Sequence, residues 1–372
     1  MSMAVRLAAG TIAGGNFVAP VRVLAASFRR FHPDVPFHAL VLDDAPPEGE
    51  AFRVVTPEEL GLPRLRRMLF VYGLKAAAAA LKPAFLQYLL KQGHEAALFV
   101  DPDMLVLDRL DGVFEEVRAH SLSLTPHLAS AGDSAGRAAR ERQVLLAGTF
   151  NGGLVGASNR AETWRFLDWW ARRLEEHCVD DPPAGLHFDQ RWVDLAAGFV
   201  EDLHLIRDPG VNAAYWNLED MEVECDGEML RVDGRPCRLF HFSGFDPAQP
   251  ELVSRFAPGL PPAGLGVAPL FAGYAARLEA AGHPQWRTRR WPWDRYRNGD
   301  AILDAERLLY RGLPEARKEQ FGDPFATGAG TFHEWLRRPE RRLGSAAAAP
   351  VRFALRAARY LLRWRPGPPF AP

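Results

Sequence analysis

The first hundred residues alternate short apolar runs with helix-patterned stretches, which is how a parallel sheet covered by helices is written in sequence. AVRLAAGT, residues 4–11, reads as a first strand, with IAGGN as the loop after it. PVRVLAASFRRF follows as a helix, opened by Pro20 in a first turn where a missing N–H is no loss. FHALVLDD, residues 37–44, is a second strand, and it ends in the acidic pair Asp43 and Asp44. LKAAAAALKPAFLQYLLKQG is strongly helical, is interrupted by Pro83, and is stopped by Gly93. It delivers the chain to EAALFV, the strand that feeds Asp101.

Beyond that strand the pattern predicts a helix at DGVFEEVRA and strands at HSLSLTPH and FNGGLVGAS. Residues 160–178 form an amphipathic helix in which Trp164, Leu167, Trp170 and Leu174 recur at helical spacing, the mark of a core face. The motif-bearing part ends near residue 250, so the expected division is a domain over 1–250, an extension over 251–340 and a tail over 341–372. The tail VRFALRAARYLLRW puts Arg352, Arg356, Arg359 and Arg363 on one helical face. Such a face suits either peripheral contact with an anionic membrane surface or a solvated side of a packed terminal helix.

A chain of 372 residues with 48% apolar and 24% charged residues can bury a large core. A formal net charge of -1 gives no bulk bias toward nucleic acid, so any electrostatic specialisation is local. Lysine occurs only at Lys75, Lys82, Lys91 and Lys318, which makes each one notable. Three widely spaced cysteines, Cys178, Cys225 and Cys237, form no CxxC pair and read as reduced thiols. The N-terminus has no signal-like apolar core and no window is long enough to span a bilayer, so the expected location is the cytoplasm, at most peripheral to the membrane.

The chemistry gathers at LFVDPDMLVL, residues 98–107. Side chains at i and i+2 of an extended segment can share a side, so Asp101 and Asp103 at the carboxyl end of a buried strand can offer two carboxylates to one cation. Ligands of open α/β sheets bind at such strand ends, and Pro102 stiffens the spacing. On its own the pair is equally an acidic turn, or the nucleophile and acid of a phosphate-attacking site.

Four segments in order, LKPAFLQYLLKQGHEAALFVDPDMLVLDRLDGVFEEV, FNGGLVGAS, HFDQRW and HFSGFDP, resemble the GT-A glycosyltransferases, especially the family 8-like bacterial sugar-nucleotide transferases. The resemblance spans about residues 5–247 and implies a Rossmann-like GT-A domain of the α/β class with a largely helical C-terminal extension. It implies Asp101, Asp103 and His241 as ligands of Mn2+ or Mg2+, with mixed oxygen and nitrogen donors favouring manganese. It implies Asn151, with Gly152 beside it, as the sugar-facing asparagine, and Asp189 and Gln190 as the pair at the donor's reacting carbon. Ser243 and Gly244 would let backbone approach a diphosphate, while Thr11, Asn16 and Asp43 would lie near the base and ribose.

The family's lysine and tryptophan after HFSG are replaced here by Phe245, Asp246 and Pro247, so charge on the leaving group needs another partner, such as Lys82 or an arginine. The implied activity is metal-dependent transfer of a hexose-type sugar from a nucleoside-diphosphate sugar, UDP-sugar above all, to a glycan, lipid-linked or other hydroxyl acceptor, with retention of configuration. The run AILDAERLLYRGLPEARKEQFGDPFATGAGTFHEWLRRP resembles an extension on bacterial transferases of surface polysaccharides, either a cap or an acceptor-binding region.

Simpler structural roles stand beside these: Asn151-Gly152 as a hairpin turn, Asp189 as a helix cap, and His241 as a core histidine tied to a backbone carbonyl. Two whole-protein alternatives also stand. One is a haloacid dehalogenase-like phosphatase with Asp101 as nucleophile; that family usually carries its D-x-D in the first strand, a Thr or Val two residues after the second aspartate and a later lysine, whereas here Asp101 lies behind a full α/β half, Leu105 takes that place and no lysine occurs between Arg109 and Lys318. The other is a sugar-nucleotide- or glycan-binding scaffold without turnover.

Overall fold

The computed structural model describes residues 6–43, 49–133, 136–227 and 229–337. Asp44 and the tail arginines Arg352, Arg356, Arg359 and Arg363 lie outside the described residues. The chain divides into two units, split between Pro292 and Trp293.

The first unit is α/β, as the alternation predicts. Strand β1 (Leu7–Ala13) runs parallel to β2 (Phe37–Val41) on one side and to β4 (Ala96–Val100) on the other. Strand β3 (Arg53–Val55) extends the β2 edge. Beyond β4, β7 (Phe150–Ser158) lies antiparallel to both β4 and β6 (Leu122–Pro126), and β10 (Leu203–Leu205) completes a seven-stranded sheet.

Alternation along the strands decides what each face buries. Ala9, Ala13, Leu98 and Val100 share a core with helices α1 (Val18–Phe31) and α4 (Asp111–Ala119). On the other face Gly10 lies under Phe85 of α3 (Leu74–Lys91), where an added Cβ would come within 2.7 Å of the ring. Short α2 (Leu65–Val71) leads into α3, and α6 (Ala161–His177) packs along it, burying Leu167, Trp170 and Leu174, while Trp164 stays half-buried.

Pro83 does not interrupt α3. The helix runs unbroken past it, although the ring removes a backbone donor and costs about 3 kcal/mol in a helix interior. Residues 79–90 are all buried, and the packing of that stretch against β1, β4 and α6 outweighs the local loss.

A second, three-stranded sheet has β15 (Leu239–His241) at its centre, antiparallel to β5 (Met104–Val106) and parallel to β11 (Val211–Ala213). The hairpin of β12 (Val223–Asp226) and β13 (Met229–Val232), edged by β14 (Arg235–Pro236), joins α10 (Ala268–Ala280) in a core with Phe240, Phe271 and Tyr274. Around the carboxyl edge of the large sheet lie α5 (Arg137–Ala147), the short pair β8 (Asp180–Asp181) and β9 (Leu186–His187), and the single-turn helices α7 (Gln190–Val193), α8 (Ala196–Phe199) and α9 (Tyr215–Leu218). Helix α11 (His283–Trp286) ends the unit.

The second unit is built on α12 (Asp304–Arg311), α13 (Glu315–Phe321) and α14 (Phe332–Arg337). Tyr310 and Phe321 pack edge-on to Phe332 at 5.0 and 5.7 Å. No helix among the described residues is long and apolar enough to cross a membrane.

Candidate functional site

Strand register brings the motifs together. Asp101 leaves the end of β4, where Val100 pairs with Leu154, and its N–H donates to the Gly153 carbonyl at 2.8 Å. The β6–β7 pairing slips between Leu124 and Thr125, from Val155 to Asn151, so residues 152–154 face no partner on β6 and crowd toward Asp101. Asp103 stands just before β5, where Met104 pairs with His241, and its carbonyl accepts the Phe242 N–H at 2.8 Å. The two aspartates are thus placed by different sheets.

Asp101, Asp103 and His241 each offer a ligand atom, and these atoms lie within 4.8 Å of one another. His241 Nε2 is 3.2 Å from Asp103 Oδ1, and the imidazole is buried. Two carboxylates and an imidazole form a donor set that fits a divalent cation and suits manganese better than magnesium. Burial pushes the Asp101 carboxyl above its usual range against the pull of Lys82, and neighbouring Asp103 adds to the rise. Burial acts on Asp103 in the same sense, but His241 beside it holds that carboxyl below its usual value.

Lys82, on the buried face of α3, joins the two halves of the site. Its ammonium lies 3.0 Å from Asp189 and 3.5 Å from Asp101, and it donates to the Gly152 carbonyl at 2.8 Å. Burial alone would lower its pKa, but the two carboxylates outweigh that and raise it, so it is a fixed cation. Asp189 precedes α7 without capping it through its side chain, which turns instead to Lys82.

Gln190 spans the strand and α5. Its Oε1 accepts the Gly152 N–H at 3.0 Å, and its amide donates to the Ala147 carbonyl at 2.9 Å. Asn151 is buried, its Oδ1 accepting the Gly153 N–H at 3.0 Å. The adjacent glycines are steric necessities: a Cβ on Gly153 would lie 2.7 Å from both Asp101 Oδ2 and Asn151 Oδ1, and one on Gly152 would lie 2.9 Å from Asp189 Oδ2.

These groups line one cavity of about 850 Å³ at the carboxyl edge of β1 and β4. Asn16, Ser243 and Gly244 also face it. Thr11 does not: it is fully buried within β1. Asp43 acts at one remove, its carboxylate accepting the Gly15 N–H of the loop that carries Asn16. Gly244 has φ of 74°, and a Cβ there would meet Phe256 and Ser254 at 2.7 Å, so its freedom serves the loop turn and its packing.

Several site residues carry no motif. Asn212 of β11 contacts both His241 and Asn151, at 3.1 Å each. His127 holds the Asn151 amide through Nε2 at 3.1 Å, and burial lowers its pKa to about 4. Trp216 stands edge-on to both imidazoles, 5.1 Å from His241 and 5.3 Å from His127. Lys75 and Arg255 line the cavity mouth, with the Lys75 ammonium 4.3 Å from the Phe188 ring centre and 5.6 Å from that of Phe256. The surrounding atoms of the cavity rim, then the charge of Arg255, lower the Lys75 pKa even though the side chain is exposed to solvent. Among these, only Lys75 had a signal in sequence, through the scarcity of lysine.

No protein-family model matches the chain. It is 30% identical over 174 residues to the Bacillus subtilis (strain 168) "Uncharacterized protein YfnD", across 44% of this chain and 52% of that protein. It is 28% identical over 172 residues to "Uncharacterized protein YfnF" of the same organism, across 44% of this chain and 55% of that protein. The chain spans about half the length of the curated relatives it matches. Among solved structures it is similar to the galactosyltransferase LgtC in complex with donor and acceptor sugar analogs, at 17% identity and a TM-score of 0.43, over 72% of this chain and 95% of that one. It is also similar to the glycosyltransferase GlyE of Streptococcus pneumoniae TIGR4, at 13% identity and a TM-score of 0.40, over 73% and 63%.

Proposed function

We propose that this chain is a glycosyltransferase that uses a divalent cation, manganese above magnesium, to transfer a hexose-type sugar from a nucleoside-diphosphate sugar to a hydroxyl acceptor. The observation that carries the reading is the convergence of Asp101, Asp103 and His241 with the Lys82–Asp189 ion pair in one cavity. That cavity stands at the strand ends where open α/β sheets bind ligands. The sequence resemblance to GT-A transferases supplies the reaction class.

The fixed charges of the cavity support a diphosphate donor. Asp101, Asp103 and Asp189 are balanced by Lys82, Lys75 and Arg255, and Arg140 and Glu219 in the same wall pair with each other. A divalent cation held by Asp101, Asp103 and His241 would leave a positive excess suited to a diphosphate diester, and would stabilise charge developing on the departing diphosphate. Lys75 and Arg255 stand where they can share that charge, in place of the lysine that the HFSG segment lacks. Asn16 and its loop are the proposed side for the base and ribose.

Lys82 pairs with the Asp189 carboxylate at 3.0 Å at the proposed sugar end. Because the charge of that carboxylate is already shared with Lys82, it is a poor nucleophile, which favours acceptor attack from the leaving-group side, with retention, over a covalent sugar-Asp189 intermediate. Asn151 and Gln190 spend most of their hydrogen-bonding capacity on the protein, so their contribution to the sugar is orientation through the remaining N–H groups. The proposed acceptor is a glycan or lipid-linked hydroxyl. It would enter beside α5, where Val144 and Ala147 line the cavity and Leu145 and Leu146 are exposed.

Calorimetry with UDP and Mn2+ tests the reading: the wild type is expected to bind UDP only with the cation, and Asp103→Ala to lose that binding while staying folded. Unchanged binding in the variant would remove the metal role. A panel of UDP-, GDP- and dTDP-sugars, scored for metal-dependent hydrolysis, identifies the donor. Absence of turnover on every donor that binds would favour the scaffold alternative. The phosphatase alternative is disfavoured because Asp101 follows the fourth parallel strand in chain order of the large sheet, behind β1, β2 and β3, and not the first.

A further inference from the structure

Two backbone groups determine the direction of every hydrogen bond behind the cation site. The Gly153 N–H can only donate, so the Asn151 atom it meets at 3.0 Å is Oδ1. The Asn151 nitrogen therefore faces His127 Nε2 at 3.1 Å, and that nitrogen must accept. His127 then carries its proton on Nδ1 and donates it to the Gly148 carbonyl at 2.9 Å, an atom that can only accept. The chain is consistent from one backbone end to the other.

The same logic reaches the candidate metal ligand. Asn151 Oδ1 also faces Asn212 at 3.1 Å, and only the Asn212 nitrogen can donate to it. That nitrogen donates as well to Thr125 Oγ1 at 2.8 Å. Asn212 Oδ1 is left facing His241 Nδ1 at 3.1 Å, and must accept a proton from it.

The backbone of Asn212 is arranged for this contact. The residue sits where the β11–β15 register shifts, between Val211 and Ala213, and its φ is 61°. A non-glycine residue at positive φ costs on the order of 1 kcal/mol, least for asparagine, and bulges of this kind re-aim side chains near functional sites. Asn212 is 2% exposed, and its carbonyl is held by the Asn217 amide at 3.3 Å.

We propose that Asn212 is the positioning residue of the cation site: by accepting from His241 Nδ1–H it aims Nε2 at Asp103, so that a bound cation would take over the 3.2 Å contact between Nε2 and Asp103 Oδ1 and meet Nε2 as its ligand. The inference rests on the cation part of the function proposed above and is independent of the sugar. A partner that orients a ligating imidazole in this way contributes about 10- to 100-fold to metal affinity.

Nitrogen NMR of the protein loaded with diamagnetic Zn2+ and calorimetry with Mn2+ alone test it together. The wild type should show the Nδ1–H signature at His241. Asn212→Gly, whose backbone suits the left-handed angle, should lose that signature and bind Mn2+ about 10- to 100-fold more weakly with its cooperative melting retained. Asn212→Asp keeps the acceptor at Nδ1 but loses the donor to Asn151 Oδ1 and Thr125 Oγ1, so it should keep the Nδ1–H signature while melting earlier, a split that a merely structural role would not produce. An Nε2–H tautomer in the wild type overturns the proposal without any variant. Unchanged tautomer and affinity in folded Asn212→Gly overturn it too. A protein that binds Mn2+ through an Asn212-oriented His241 but binds no nucleoside diphosphate would sink the transferase reading and leave this one standing.

Discussion

The two walls of the cavity are built on opposite principles. The wall behind Asp101 and Asp103 consists of buried groups that satisfy one another: Lys82, Asp189, Asn151, Asn212, His127 and His241. The wall at the mouth carries its charge on Lys75 and Arg255, both exposed, with cationic heads resting on Phe188 and Phe256. A buried, fully paired network fixes geometry at the expense of desolvation, so each member is costly to remove. An exposed pair of long side chains attracts an anion without holding any one geometry, so each member is worth little alone. The first wall can define a coordination site and the second can only supply charge.

The largest expected effect comes from breaking the buried wall. Lys82→Met leaves Asp101 and Asp189 without their shared cation, and without added metal the variant should lose about 3–5 kcal/mol by urea titration. A midpoint equal to the wild type would mean that the ion pairs are not part of what holds this wall together.

Acid should act next, on His127 of that wall and on His38 within β2. Burial lowers the pKa of both His127 and His38 from 6.5 to about 4, so between those values the unfolded chain binds protons that the folded chain refuses. Stability from these two residues is therefore complete above pH about 6.5 and is lost as pH falls toward about 4, on the order of 3 kcal/mol for each. Urea midpoints across that range test the sign. His38→Gln should flatten part of the slope, and an unaltered slope would assign the acid sensitivity elsewhere.

The mouth should give the smallest effects. Lys75→Ala and Arg255→Ala should each weaken UDP binding by about tenfold, should barely affect UMP, and should lose their effect at high salt, with urea midpoints unchanged. Equal losses for UDP and UMP would place these cations elsewhere than at the terminal phosphate and erase the contrast between the walls.

What sequence reveals follows the same division. Asp101, Asp103, Asn151, Asp189 and His241 are singled out by motifs that resemble those of GT-A transferases, and each stands at or beside one end of a strand, which local pattern marks. Asn212 is not, because its importance comes from a register shift beside β15 that only the pairing of two short strands creates. Arg255 is invisible for a related reason, since it reaches the cavity from the loop that folds back under Gly244, whose carbonyl accepts the Arg255 N–H at 3.0 Å. Pro83 shows the converse failure, where a strong local signal yields to tertiary packing. Thr11 was expected at the ligand from its place after a strand, but β1 runs two residues further, to Ala13, and buries it.

The placement of the two aspartates by different sheets also orders events in time. Asp101 needs β4 beside β7, whereas Asp103 and His241 need β5 beside β15, a pairing between segments far apart in the chain. Contacts of such long sequence separation form late, because loop closure must precede them. The cation site therefore comes into being only when both sheets are in register, and a metal bound there stabilises only chains that have finished folding. Metal uptake at the proposed site would then be a signal of completed assembly as well as a preparation for chemistry.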